Sequence, residues 1–393
     1  MGAIYEIGAL CALEQSLTGI DFNRLQHYIG VSAGGFIAAG LANGMTPQGL
    51  CAAFIESDSG SPDTFDPAWL MVPAYDEFAR RGVMWPGLLA RALWGLTLGG
   101  HSLTQVLERL GAGLPTGVFS NQKVNLQLAR MFTQHGYTND FRQLKTQLTL
   151  VATNLNTGEA TPFGRPGWDH IPISQAVQAS SALPGLFPPV QIDDQYYVDG
   201  ALKKTLHASV ALDEGVDLLL CLNPLVPFDT TAPRSAKVMR RGLPGYRQTI
   251  PGIVDGGLPA VLSQTFRSMI HSRLELGMKH YERAYPGTDI LLIEPDQRDP
   301  ELYLANTFGY AQRRHLAEHA YQQTRQLLRS RKTTISATLA RHGIHLQHAA
   351  LDDPKAHLCA PAKAPTRIGR AIASLQEVMD DLGHLASRPI STG

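Results

Sequence analysis

Gly30-Val31-Ser32-Ala33-Gly34 is the stretch whose residue types and spacing most directly suggest chemistry. A serine hydroxyl is a weak nucleophile, and it must stand clear of its own backbone to reach a carbonyl carbon. A tight turn from strand to helix achieves this, at the cost of strained backbone angles. Glycine on either side, Gly30 and Gly34, removes the side chains that would collide in such a turn. The turn also sets Ser32 at the start of a helix. There the N–H of Ala33 and the helix dipole can stabilise an oxyanion. The plainer reading is a glycine-rich turn carrying an incidental serine, and G-x-S-x-G alone does not decide between the two. The flanks favour the nucleophile. "LQHYIGVS" reads as a short strand, and "GGFIAAGLANG" as a small-residue helix stopped at Asn43-Gly44.

Asp199, in "YYVDGALKKTL", is the second candidate. A carboxylate at the end of an apolar strand, followed by Gly-Ala, sits where the sites of α/β proteins gather. The competing reading is an ordinary Asp-Gly turn. A Ser–His–Asp relay would need a histidine as base. None of the 14 histidines lies in a setting that marks it. His271, His280, His315 and His319 fall on predicted helices, and His342, His345 and His348 follow in a polar stretch. Asp193 and Asp194 read as turn residues.

Elements able to position these groups can be read along the chain. Ile7, Leu10, Leu13 and Leu17 repeat at helical spacing. Segment 146–164 reads as two strands around Asn156-Thr157-Gly158. "ISQAVQASSALPGLFPPVQI" reads as a helix ending near Pro184 and then an extended segment. "VDLLLCLNPLVPF" (216–228) is a continuous apolar run, as expected of a strand buried on both faces. Residues 57–75 read as a loop. Segment 101–135 reads as mainly helical, as do 259–283 and 311–343. Residues 353–366 read as a linker, and Ile372, Leu375, Met379 and Leu382 lie on one stripe of a terminal helix. Strands alternating with helices imply a layered α/β fold.

Composition narrows the function classes. The 393 residues are 44% hydrophobic and 17% charged, enough for a large buried core. Lys+Arg and Asp+Glu balance at 34 each, without the basic excess of a nucleic-acid binder. Cys11, Cys51, Cys221 and Cys359 form no C-x-x-C pair, so no metal or redox motif emerges, and no cofactor is called for. A reducing, cytoplasmic location is expected, with a membrane surface as a candidate peripheral contact. The opening residues lack a signal peptide's basic region, and Glu6 and Glu14 interrupt their apolar run. Segment 83–100, broken by Pro86 and Arg91, is too short for a span and reads as a buried helix or a lipid-facing cap. Arg234, Lys237, Arg240, Arg241 and Arg247 read either as a lipid-surface patch or as a solvated loop.

Taken together, the motifs resemble the patatin-like phospholipases. "GVSAG" is similar to the family's nucleophile motif and "DGA" to its acid motif. Ala179, Ser180, Ala182, Pro184, Phe187 and Pro189 are similar to its A-S-x-A-x-P-x-x-F-x-P segment. "GALCALEQ" resembles its first helix, and "VATNLNTGEATPFG" its middle strand pair. The likeness covers about residues 2–228. It implies a three-layer α/β/α fold with a mostly parallel central sheet. It also implies a Ser32–Asp199 dyad without histidine, acting on a lipid ester through an acyl-enzyme. The expected organisation is a catalytic domain over 1–345, with its motifs in 2–228 and a helical extension in 229–345. A linker and helical tail over 346–393 follow.

One departure stands out. The family opens with a strand and a glycine-rich loop, G-G-G-x-[RK]-G, whose N–H groups form most of the oxyanion hole. This chain reads Met1-Gly2-Ala3, and at most Gly2 matches the end of that loop. The expectation is therefore a chain lacking that strand and loop. Its oxyanion donors would be Ala33 and, weakly matched, Gly2, with impaired activity. Loss of one donor costs about 10²–10³ in rate. Two other classes stay open: an α/β-hydrolase esterase with a distant histidine, and a non-catalytic lipid-binding protein of the same fold. Oligomeric state is not legible.

Overall fold

The structure is a computed structural model that describes residues 2–56, 72–88, 90, 94, 111, 113–203, 206–229, 231, 235–237, 247–249, 252–299, 301–302 and 312–359. Helix α1 (Gly2–Ser16) comes first and is enclosed on nearly every side, with Ile7, Ala9, Cys11, Ala12 and Leu13 fully buried. Its largely apolar sequence, interrupted by Glu6 and Glu14, suits a helix inside a core rather than on a surface. Strand β1 (His27–Val31) leads into helix α2 (Ala33–Ala42). Strand β2 (Gln147–Asn154) pairs parallel with β1, Gly30 opposite Leu150, and antiparallel with β3 (Ala160–Phe163). The turn between β2 and β3 falls where the Asn156-Thr157-Gly158 reading places it.

Helix α3 (Ile173–Ser180) crosses the sheet behind α2. Strands β4 (Val190–Ile192) and β5 (Gln195–Asp199) then complete the order β1-β2-β5-β4, in which Ala152 of β2 faces Asp199 of β5. Strand β6 (Leu218–Leu222) pairs parallel with β7 (Asp289–Ile293) as a second sheet segment. Two long helices follow, α4 (Gly257–Ala284) and α5 (Arg313–Ser330), and α5 packs along α1. The result is the expected layered α/β architecture.

Two expectations change. The apolar run at 216–228 was expected to yield a strand sealed on both faces. In β6 only Cys221 is buried, and the four leucines are half-buried. Among the described residues β6 pairs with β7 alone, so one edge lacks the neighbour that would close over its side chains. Packing also continues past residue 345. Leu346 pairs with Leu17, helix α6 (His348–Asp352) lies against α1 and α5, and the compact unit runs to Leu358. Buried Arg325 of α5 explains this. It donates to the carbonyls of Ala350, Leu351, Asp353 and Ala356 and lies over the Tyr321 ring. A second unit, Cys359–Gly393, contains the terminal stripe, which lies outside the described residues. So do residues 57–71, most of 83–112, and most of the basic stretch 234–247. Among the described residues no helix is long and apolar enough to cross a membrane.

Candidate active site

The chain turns from β1 into α2 at Ser32, whose φ of 54° and ψ of −126° lie outside the usual regions for a residue with a side chain. The turn is tight because α2 folds back over β1. A β-carbon on Gly30 would lie 2.6 Å from Cα of Gly35 and 2.9 Å from Cβ of Ala38, so only glycine fits. The strain at Ser32 is held by hydrogen bonds. Its N–H donates to Oγ of Ser180 at 2.9 Å, and the fully buried Ser180 hydroxyl donates to the carbonyl of Val151 at 2.6 Å. The end of α3 is thereby tied to both the Ser32 turn and β2.

Ser32 and Asp199, 167 residues apart in sequence, meet here: Oγ of Ser32 donates to Oδ2 of Asp199 at 2.6 Å. Antiparallel pairing of β5 with β2, itself parallel to β1, brings the end of β5 beside the end of β1. The other carboxylate oxygen, Oδ1, accepts from the N–H of Ala201 at 2.9 Å. The Asp199 backbone is held too, its N–H donating to Ala182 and its carbonyl accepting from the Thr153 hydroxyl. Gly200 presses so closely on Val151 that no larger residue fits.

Asp199 is 2% exposed, and burial raises its carboxyl to about 6. The hydrogen bonds from Ser32 and Ala201 pull the other way, and no histidine is among the groups acting on it. Of the seven histidines weighed from the sequence, His271, His280, His315 and His319 lie on α4 and α5. His315 and His319 are engaged by Glu301 and Asp299, and His342 by Asp289. His207, which the sequence reading passed over, is buried with φ of 47°, and its ring contacts the Gly200 carbonyl.

Ala33 opens α2, and the first N–H groups of a helix have no acceptor within it. Gly2 opens α1. A β-carbon on Gly2 would lie 3.1 Å from Cβ of Ala33 and 3.3 Å from Pro224 just beyond β6. The N-termini of two helices therefore converge beside Ser32. Two cavities among the described residues, one lined by Met45, Met131 and Tyr137 and the other by His271, Met278 and Leu292, include neither member of the pair.

The family model for patatin-like phospholipase matches residues 1–212, which hold the Ser32 turn and Asp199. The chain belongs to the patatin-like phospholipase family. Among solved structures it is similar to the crystal structure of VipD from Legionella pneumophila, at 18% identity and a TM-score of 0.35. That likeness covers 84% of this chain and 65% of VipD, so the chain spans just under two thirds of the length of the structure it matches. The patatin-like match ends at residue 212, before α4 and α5.

Proposed function

We propose that this patatin-like chain is a serine lipid acyl hydrolase, of phospholipase A or lysophospholipase type, that works through a Ser32–Asp199 dyad. The observation that carries the reading is the 2.6 Å bond from the Ser32 hydroxyl to a buried carboxylate, at a strained strand-to-helix turn. A base is most useful when its affinity for protons approaches neutrality, and burial moves Asp199 that way.

In the first step Oγ of Ser32 bonds to the ester carbonyl carbon, and its proton passes to Oδ2 of Asp199. The carbonyl electron pair moves onto oxygen. That oxyanion would sit at the paired N-termini of α1 and α2, with the N–H of Ala33 and that of Gly2 as donors. As the intermediate collapses, the bond to the leaving alcohol breaks and the Asp199 proton goes to the alkoxide. Water then repeats the sequence on the acyl-Ser32 ester. It gives a proton to Asp199, releases the fatty acid, and lets Oγ recover its proton. The reading needs no metal and no histidine. Its substrate is a lipid ester, met by a chain acting at or near a membrane surface.

The test is a fluorophosphonate probe together with acyl esters of graded length. Labelling at Ser32 and faster turnover of long-chain than of two-carbon esters are expected. Ser32→Ala and Asp199→Asn should each abolish turnover, and the double variant should be no worse than either alone. A folded histidine variant as inactive as Ser32→Ala would point to a triad instead. Absence of labelling would point to a binding protein.

A further inference from the structure

Glu6 projects from the first turns of α1 into the protein interior and is 7% exposed. Its Oε1 lies 3.2 Å from where a β-carbon on Gly34 would stand, so Glu6 fills the space that the second glycine of the nucleophile turn leaves open. Its Oε2 is enclosed and has no hydrogen-bond partner among the described residues. A buried carboxylate kept for structural reasons is normally paired with a cation or surrounded by donors. If packing alone mattered, an apolar side chain would serve better.

We propose that Glu6 is a positioning residue of this site that works only as a neutral carboxylic acid, and that losing its proton shuts the site down. The proposal rests on the dyad reading and adds a second ionisable group to it. The anion formed during acyl transfer draws its stabilisation from the N-termini of α1 and α2. Glu6 lies within the first turns of α1 and touches the first turn of α2. As a carboxylate it would occupy that same positive end, and in a dry site two negative charges raise each other's energy. As a neutral acid it fills the space and leaves the helix ends to the reaction.

Among the described residues little else around Glu6 carries charge. Helix α2 has no ionisable side chain. Tyr5, next to it on α1, is held as a neutral phenol by burial. Glu294 and Asp299, beyond β7, act on Tyr5 rather than on Glu6. Asp199 lies across the turn. Burial pushes the Glu6 carboxyl up to about 8.

The deciding experiment compares the unmodified chain with Glu6→Gln, an isostere that is always neutral. The first measurement is kcat against pH for hydrolysis of a long-chain acyl ester. The unmodified chain should lose activity above about pH 8, and at about pH 9 the variant should be roughly tenfold faster. The rise on the acid side should be the same in both. An alkaline fall that persists in Glu6→Gln, or its absence from the unmodified chain, overturns the proposal. The second measurement is Tm against pH, which needs no activity. A carboxyl raised on folding adds stability that is complete below its unfolded pKa and is lost as pH rises through the folded one. The Tm advantage of Glu6→Gln should therefore grow between about pH 5 and pH 9. A constant difference means that Glu6 is not held neutral, and the proposal fails. If Ser32→Ala leaves hydrolysis intact, the dyad reading falls separately while the Tm series still decides the state of Glu6.

Discussion

Asp199 and Ser180 set the chemistry at the scale of single side chains. In the proposed dyad Asp199 must be ionised to take the Ser32 proton, and burial raises its carboxyl to about 6. Activity should therefore rise with pH through about 6, with kcat/KM changing about tenfold per pH unit on the acid side, and hold a plateau until the alkaline fall assigned to Glu6. A pH–rate profile on a long-chain ester checks this. A limb lying near the ordinary carboxylate range would mean that the base is exposed to water. Ser180 plays a quieter part. Its hydroxyl accepts from the Ser32 N–H and donates to the Val151 carbonyl, so Ser180→Ala removes both of these hydrogen bonds. The expected cost is about 1–3 kcal/mol of stability, read as a lower Tm. We also expect a fall in kcat of about 10–100-fold with KM unchanged, since a nucleophile displaced by a fraction of an ångström attacks poorly.

At the scale of elements, the site is a junction of strand ends and helix starts, and Gly30 fixes how closely α2 folds back on β1. Gly30→Ala would place a methyl group 2.6 Å from a backbone Cα. Either α2 moves or Ser32 relaxes from its strained angles, and either change separates Oγ from Asp199. We expect a loss of at least about 10² in turnover, with a milder loss in Tm. Slow fluorophosphonate labelling in a protein that still melts cooperatively would verify it. These elements also show what was legible in sequence. Ser32 and Asp199 could be found because each sits in a short local pattern that names its own turn. Glu6 was visible only as a polar residue breaking an apolar run, because the residue that gives it meaning, Gly34, belongs to another element. Ser180 was legible as part of a motif and not as a clamp, since its partners lie on β1 and β2. The half-open state of β6 was hidden for a similar reason: an apolar run records composition, while burial depends on which neighbours pair with it.

For the whole molecule, the question is where the folding unit ends. Sequence pattern places the end of the catalytic domain at 345, because the residues that follow carry no strong periodicity. The packing extends the unit to Leu358, through contacts that no local pattern announces. Leu346 pairs with Leu17 at the end of α1, and α6 is held by the Arg325 guanidinium. That guanidinium donates to carbonyls in and after α6, the Leu351 carbonyl among them buried. The charge sits in the interior, so deleting its acceptors strands it, and removing one side of such an arrangement costs about 3–5 kcal/mol. Two truncations separate the boundaries. A chain ending at Leu358 should keep the Tm and the esterase activity of the full protein. A chain ending at His345 loses the acceptors of Arg325 along with the Leu346 pairing to Leu17. It should melt at least several degrees lower, and α1 should loosen, since the pairing and α6 both bear on it. Because α1 also carries Gly2 and Glu6 to the nucleophile turn, activity should fall further than the Tm shift alone accounts for when assayed well below the melting transition. Equal melting of the two truncations would return the boundary to 345 and reduce Arg325 to a local cap.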